Sequence, residues 1–237
     1  MTSAIRCIQI NLNHAYGSTG VFSNRFVQEN LDIGLIQEPL LLEVDRERKE
    51  FRVIGIPTNI GKLIYCQKGG RPRAALFFSR RVVFHPLPEF ITIDLVSAIV
   101  DIPISGGSRK VVIASAYFAH DKNVPPNEVV KLVNYCKSKS LQLLISCDAN
   151  AHHEAWGCTD TRLRGEELLE YLGANDLEIF NVGSSPTHYL HGRDIGQVLD
   201  LTFGSSFIKS MVKGWQVSPE PSLSDHNHIR FDIDCDK

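Results

Sequence analysis

Short apolar stretches recur along the whole chain, and each has the length of a β-strand. They are rich in β-branched and aromatic residues, and clusters of Gly, Pro, Asn or Asp separate most of them. The pattern predicts strands at 5–12, 32–38, 51–56, 62–67, 73–79, 91–102, 109–118, 141–147, 177–182, 197–203 and 227–234.

Helical periodicity is confined to three stretches, and we expect each to bury one apolar face. Asn127 is in the position of an N-cap for the longest of them. The predicted helices are 127–139, burying Val129, Leu132, Val133 and Cys136; 162–174, burying Leu168, Leu169 and Leu172; and 20–30, burying Phe22, Phe26 and Val27.

So many strands beside so few helices do not fit one open parallel sheet. The sequence therefore predicts an α/β fold, a four-layer α/β sandwich in which helices flank two packed, mostly antiparallel β-sheets.

The composition favours one folded domain over residues 1–237. Hydrophobic residues make up 43% of the chain and charged residues 22%, as in ordinary globular proteins, and we find no internal repeat or linker. The chain shows no apolar run of membrane-spanning length and no signal peptide, although it can be the start of a longer polyprotein. Six cysteines without CxxC spacing favour a reducing, intracellular setting. The net charge of −2 requires any nucleic-acid partner to meet a local basic face.

The stretch LLISCDANAHHEAW (143–156) runs from a buried strand directly into groups that bind protons, metals or phosphates. A zinc site would use His152, His153 and Glu154, or the thiolates of Cys147 and Cys158. The spacing argues against zinc, because adjacent histidines rarely face one ion and neither HExxH nor a short Cys pair is present. We therefore expect no structural zinc here, and we expect Asp148 and Asn150 to be catalytic.

Polar side chains also follow or open other apolar strands. Taken singly, each has an ordinary interpretation, such as a turn, a solvated strand end or a core tyrosine. Strand ends on one edge of a sandwich can also converge on a single cleft. The residues concerned are Asn11, Glu38, Tyr117, Asp200, Asp225 and His226.

The order Asn…Glu…Tyr…Asp-x-Asn…Asp…Asp-His resembles the exonuclease–endonuclease–phosphatase superfamily, which includes deoxyribonuclease I and the apurinic/apyrimidinic endonucleases. Its most specific pieces here are IQE (36–38), DAN (148–150) and SDH (224–226). DANAHHEAWG (148–157), the pair Arg164-Gly165 and SSPTHYLHG (184–192) resemble more closely the endonuclease domain of site-specific insect non-LTR retrotransposons.

This resemblance implies a Mg²⁺-dependent endonuclease, with Mn²⁺ as a substitute metal, that acts on double-stranded DNA in the nucleus. It also implies a reverse transcriptase domain downstream in the same polyprotein. Glu38 would be the main metal ligand, with Asn11 beside it and Asp225 acting through water. Asp200 would orient His226, and either His226 or Asp148 would be the general base. Asn150 and Tyr117 would hydrogen-bond the phosphoryl oxygens.

The chain departs from the family pattern at three points. Cys147 replaces the glycine that many relatives have before Asp148, and Pro39 replaces the threonine that usually follows the metal-binding glutamate of repair enzymes. GQVLD (196–200) lacks the tryptophan common in abasic-site enzymes, which favours cleavage of undamaged DNA. An abasic-site repair endonuclease and a non-catalytic DNA-binding module remain the alternatives.

DNA contacts are expected from two regions. One is a predicted β-hairpin within 184–197, which could also be a surface hairpin without a target. The other is a basic segment with a loop histidine, which could also be a solvated face. The expected DNA-binding residues are Thr187, His188, Tyr189, His191 and Arg193 of the hairpin, with Lys62, Arg71, Arg73 and His153.

Overall fold

The computed structural model describes residues 4–104, 107–190 and 195–235. The helices are α1 (Tyr16–Gln28), α2 (Asn127–Ser138), α3 (Leu163–Ala174) and α4 (Ser206–Met211), with a single 3-10 turn at Glu154–Trp156. The strands are β1 (Ala4–Asn11), β2 (Ile33–Gln37), β3 (Leu41–Asp45), β4 (Glu50–Val53), β5 (Gly61–Tyr65), β6 (Ala74–Ser79), β7 (Phe84–Ile91), β8 (Leu95–Ile104), β9 (Gly107–Tyr117), β10 (Gln142–Asp148), β11 (Leu177–Ile179), β12 (His188–Tyr189), β13 (Gly196–Gln197), β14 (Asp200–Ser205), β15 (Val212–Val217) and β16 (Ile229–Asp234).

Two six-stranded sheets contain most of these strands. The first has the order β15-β16-β1-β2-β6-β5 and the second β11-β14-β10-β9-β8-β7, while β3-β4 and β12-β13 form separate two-stranded pairs. Within the two large sheets, β1 runs parallel to β2 and β9 parallel to β10, and the other described pairs are antiparallel. The prediction of two mostly antiparallel sheets is confirmed.

Helices cover the outer faces of both sheets. On the first sheet, Phe22 and Phe26 of α1 pack into an apolar cluster with residues of β1 and β2. On the second, α2 and α3 bury Leu132 and Leu168 against β9 and β10. A third cluster fills the space between the sheets, so the α/β sandwich has the four predicted layers. No helix in the described part of the chain is both long and apolar enough to cross a bilayer.

Some local predictions are wrong. Asn127 is the first helical residue of α2, and the cap position belongs to Pro126, which has no side-chain donor or acceptor. Val27 faces solvent, 51% exposed, because it lies off the face of α1 on which Phe22 and Phe26 are buried. Strand β7 was not predicted. It carries two prolines and is an edge strand, where a missing N–H is tolerated.

The topology brings many strand ends to one edge of the sandwich. Strands β1 and β2 finish there because they are parallel, and β16 begins there because it is antiparallel to β1. In the second sheet β9 and β10 finish at that edge and β14 begins there, for the same reasons. Side chains distant in sequence therefore meet at this edge.

Candidate active site

The residues predicted to be catalytic lie at the shared edge of the two sheets. Asp148 is opposite Asp200 on one side and Tyr117 on the other in the register of the second sheet. In the first sheet Asn11 is the last residue of β1, Glu38 follows β2, and Asp225 and His226 precede β16.

Asn11 joins the two sheets at this edge. Its side-chain Nδ2 donates to Oε2 of Glu38 at 3.1 Å and to Oδ2 of Asp148 at 3.0 Å. Its Oδ1 accepts from the backbone N–H of Asn13. In this arrangement Asn11 sets the spacing between two carboxylates, and its oxygen is occupied by the backbone.

His226 is held between carboxylates. Its buried ring has Nδ1 2.7 Å from Oδ2 of Asp200 and Nε2 3.9 Å from Oδ2 of Asp148. Burial alone would lower the pKa of His226, but the charge and hydrogen bond of Asp200, with a contribution from Asp148, raise it to about 9. His226 is therefore a cation near neutral pH, in an orientation that Asp200 fixes.

Asp148 is the carboxylate that faces the cationic ring. Burial raises the pKa of its carboxyl group above the ordinary value, and the positive charge of His226 opposes that rise. The backbone N–H of Asn150 donates to Oδ1 of Asp148, and the Asn150 side chain donates to the carbonyl of Phe118. Hydrogen bonds to both carboxylate oxygens thus fix the orientation of Asp148. Its raised pKa suits a group that accepts a proton.

Glu38 is the more accessible carboxylate, with 21% of its side chain exposed. Its φ of +44° is in the left-handed region, a strained conformation that is common at functional sites. Burial alone would raise the pKa of Glu38, but hydrogen bonds from His14 and Asn11, together with nearby positive charge, hold it below its ordinary value. An ionised, partly exposed carboxylate suits Mg²⁺, which needs only one or two such ligands and keeps several waters.

Within the described residues, two sets of side chains have the ligand spacing of a metal site: Asp148, Asp200 and His226, and His188, Asp225 and His226. Both depend on His226, whose Nδ1 is engaged with Asp200 at hydrogen-bond distance. We interpret them as parts of a proton network, and Glu38, which belongs to neither, as the better metal ligand. Asp225 keeps its negative charge, because interactions with His188 and His226 outweigh burial and lower its pKa to about 2.

Tyr117 borders the carboxylates, and its ring lies under a fixed arginine. Burial and the charges of Glu38 and Asp148 raise the pKa of the Tyr117 hydroxyl to about 12, so it stays a proton donor. The guanidinium carbon of Arg73 is 4.7 Å from the ring centroid. Arg73 also makes two hydrogen bonds to Asp94, of 2.6 and 2.7 Å. Arg73, which was expected to bind DNA, is thus engaged in an ion pair with Asp94 and a cation–π contact with Tyr117.

The predicted hairpin is present as β12 and β13, and it is tied to the site. His188 forms an isolated bridge with His226, and the backbone N–H of Tyr189 donates to the carbonyl of Asp225. Thr187 was expected to contact DNA, but it is fully buried. Its Oγ1 accepts hydrogen bonds from the backbone N–H groups of Leu199 and Asp200. Two further expected contacts, His191 and Arg193, lie outside the described residues.

The remaining expected DNA contacts are scattered. Arg71 is exposed two residues before Arg73, on the loop beside Glu38. Lys62 pairs with Phe78 at the end of β6 that is far from the site, so it does not join the cleft. His153 is partly buried, and its Nδ1 accepts from the N–H of Ala155.

Of the residues considered for zinc, His152 has an aspartate partner and Cys147 is buried. Nδ1 of His152 is 2.8 Å from Oδ1 of Asp160. Cys147 is fully buried, and burial, with the charges of Asp148 and Asp200, holds the pKa of its thiol well above the ordinary value. Neither residue belongs to a metal-like cluster within the described part of the chain.

Several supporting residues were not predicted. His14 lies 3.5 Å from Glu38, and the Ser224 hydroxyl donates to the carbonyl of Asn11. Behind the site, the side-chain amides of Gln9 and Gln37 donate across the sandwich to Cys147 and Ser115. The signal for these glutamines was a polar residue inside an apolar strand, which must find a partner when buried.

Comparison with known proteins agrees with this architecture. Residues 111–230, half of the chain, match the family model described as endonuclease-reverse transcriptase. No curated protein matched the sequence. The structure resembles the endonuclease domain of TRAS1, a telomere-specific non-LTR retrotransposon, with a TM-score of 0.80 and 23% identity over 99% of this chain and 100% of that one.

Two further solved structures share the fold at lower similarity. The 3′-5′ exonuclease NExo from Neisseria meningitidis has a TM-score of 0.67 and 14% identity, covering 97% of this chain and 100% of its own. The AP endonuclease LMAP from Leishmania major has a TM-score of 0.69 and 12% identity, covering 98% and 88%. The chain shares the fold of these nuclease structures, and it belongs to the endonuclease–reverse transcriptase family.

Proposed function

We propose that this domain is a Mg²⁺-dependent DNA endonuclease that nicks one strand of a chromosomal target and leaves a 3′ hydroxyl to prime reverse transcription. The polymerase would be another domain of the same polyprotein, and the reaction would take place in the nucleus. The family match and the likeness to the TRAS1 endonuclease support this proposal. The observation that carries it is the network in which Asn11 joins Glu38 to Asp148, opposite the His226–Asp200 pair.

In this proposal Glu38 holds the cation, with Asn11 beside it and Asp225 contributing through water. When bound, Mg²⁺ supplies positive charge to the phosphoryl oxygens and the leaving oxygen, and Mn²⁺ is expected to substitute for it.

The charges of the side chains assign the remaining catalytic roles. Cationic His226 donates a hydrogen bond to a phosphoryl oxygen, while Asp148 takes the proton of the attacking water. The amide of Asn150 and the hydroxyl of Tyr117 donate further hydrogen bonds to the phosphoryl group. This assignment makes Asp148 the general base and leaves His226 as an electrostatic clamp.

The first test is nicking of supercoiled plasmid with Mg²⁺ or with EDTA. We expect wild type to nick only with the cation, and Asp148→Ala and His226→Ala to lose about 100-fold or more of the rate. His85→Ala is the matched control, because His85 is exposed and lies in β7, away from the site. A DNA polymerase should extend the nick directly if it ends in a 3′ hydroxyl.

Abasic and undamaged oligonucleotides in the same assay separate the alternatives. Cleavage of the abasic strand alone would support a repair enzyme instead. Binding without any cleavage by wild type would leave a non-catalytic module, and equal nicking by both site variants would refute the residue assignment.

A further inference from the structure

Leu223 has a backbone conformation that leucine rarely adopts. Its φ is +58°, and 63% of the residue is exposed. Among the described non-glycine residues with positive φ, it is the only aliphatic one. The left-handed region is unfavourable for a residue with a branched side chain, and burial does not compensate for it here. Strain of this kind is typical of functional positions.

The loop around Leu223 is fixed to the catalytic residues. The buried Ser222 hydroxyl donates to the carbonyl oxygens of Ser224 and His226. The Ser224 hydroxyl donates to the carbonyl of Asn11 at 2.8 Å. These bonds hold Leu223 in place two residues before Asp225, so its exposed side chain is rigidly presented beside the site.

The side chain of Leu223 rests on the first turn of α1. A Cβ added to Gly17 would lie 3.4 Å from both Cβ and Cδ1 of Leu223, which is van der Waals contact, so the leucine packs directly over this glycine. Tyr16, the neighbour of Gly17, is 76% exposed. The hairpin residue Tyr189, also exposed, donates its backbone N–H to the carbonyl of Asp225. Two exposed apolar residues, Leu223 and Tyr189, are therefore linked through the backbone to the Asp225–His226 turn.

We propose that Leu223, which packs over Gly17, is an apolar wedge that contacts the bases of the target duplex beside the nicked phosphate. This inference rests on the proposed endonuclease function and adds a determinant of site choice to it. Apolar side chains in other DNA-binding proteins unstack base steps by entering between them. Pyrimidine–purine steps unstack most readily, so the wedge favours nicking next to a flexible step.

The test compares Leu223→Asn with Leu223→Met on two duplexes that differ only in one step, TA or AA. Asparagine tolerates the left-handed conformation, so Leu223→Asn folds at least as well as wild type while losing the apolar group. We expect its TA-over-AA nicking preference to fall by about fivefold or more. Leu223→Met keeps an apolar side chain and should keep the preference. Val83→Asn changes an equally exposed aliphatic residue after β6 and should change nothing.

A second measurement works without cleavage. A duplex with 2-aminopurine at the TA step is bound in EDTA, and unstacking is read as a rise in fluorescence. We expect the rise with wild type, Leu223→Met and Val83→Asn, and its loss with Leu223→Asn. No rise with bound wild type, or an unchanged rise and preference in Leu223→Asn, overturns the wedge. Absence of nicking by wild type would refute the endonuclease instead, and the fluorescence would still decide on the wedge.

Discussion

At the scale of single residues, the site depends on which carboxylate faces which histidine. Among the described residues, two buried histidines have Nδ1 bonded to a carboxylate: His226 to Asp200 at 2.7 Å and His152 to Asp160 at 2.8 Å. Asp200 is 1% exposed, whereas the Asp160 side chain is 45% exposed. Solvent screens the second pair, and that pair lies outside the network of Asn11 and Asp148.

This contrast gives a matched pair of substitutions. Asp200→Asn keeps the shape but removes the charge that stabilises cationic His226, so we expect nicking to slow by about 100-fold or more. Asp160→Asn should change the rate by less than about threefold. DNA affinity measured in EDTA should stay close to wild type for both. The thermal midpoint should fall only for Asp200→Asn, which breaks a buried pair, so the rates are compared well below that midpoint. Equal losses of nicking in the two variants would contradict the role of Asp200.

At the scale of elements, α3 presses directly on the catalytic loop. A Cβ added to Gly165 would lie 1.9 Å from the carbonyl oxygen of His152. The neighbouring Arg164 donates to the carbonyls of Phe118, Ala119 and Lys122, and the carbonyl of Phe118 also accepts from Asn150. The Arg164-Gly165 pair, noticed in the sequence only as a resemblance, thus positions the segment that follows Tyr117 and the loop that carries Asn150.

Gly165→Ala should therefore destabilise the domain by about 1–3 kcal/mol and also slow nicking, because the helix must move away from the loop. Gly173→Ala in the same helix is the control. It has open space around the added methyl group, so it should be neutral or stabilising by up to about 1 kcal/mol. Urea unfolding measures both. A neutral Gly165→Ala would show that the helix does not bear on the loop.

The elements also show what the sequence could predict. Central strands such as β1, β10 and β14 were predicted because their apolar runs are long and end in turn residues. Strands β3, β7 and β15 were not, since they are half-exposed, carry prolines or bend at Gly214. Asp200 was expected from the resemblance to orient His226, but the local pattern did not predict that both faces of its strand are covered. Burial of a polar residue depends on long-range packing, which local pattern does not contain.

At the scale of the whole molecule, the residues of the site come together only because of the order of the strands in the two sheets. The residues of the site were identified from polar positions at strand ends together with a family resemblance, but their distances depend on pairings such as β1 with β16, more than 200 residues apart in the chain. The bridge by Asn11 and the polar contacts of Gln9 and Gln37 between the sheets became visible only in three dimensions.

We expect a buried histidine next to β16 to make the stability of the whole sandwich sensitive to acid. His228 is fully buried, and neither ring nitrogen has a hydrogen-bond partner within the described part of the chain. Burial, with the charge of Arg25 on α1, lowers the pKa of His228 to about 3. The unfolded chain binds a proton at this histidine near its ordinary pKa of about 6.5, whereas the folded chain does not. Stability is therefore unaffected by His228 above that pH and falls as the pH drops below it.

We expect this histidine alone to reduce the free energy of unfolding by about 1 kcal/mol between pH 7.5 and pH 5.5. His228→Leu removes the titrating ring and the unsatisfied nitrogens, so its urea midpoint should fall less over that range than the midpoint of wild type. His85→Ala, which removes an exposed histidine, should follow the wild-type slope. If His228→Leu loses stability with acid as steeply as wild type does, the buried neutral ring is not the source of the acid sensitivity.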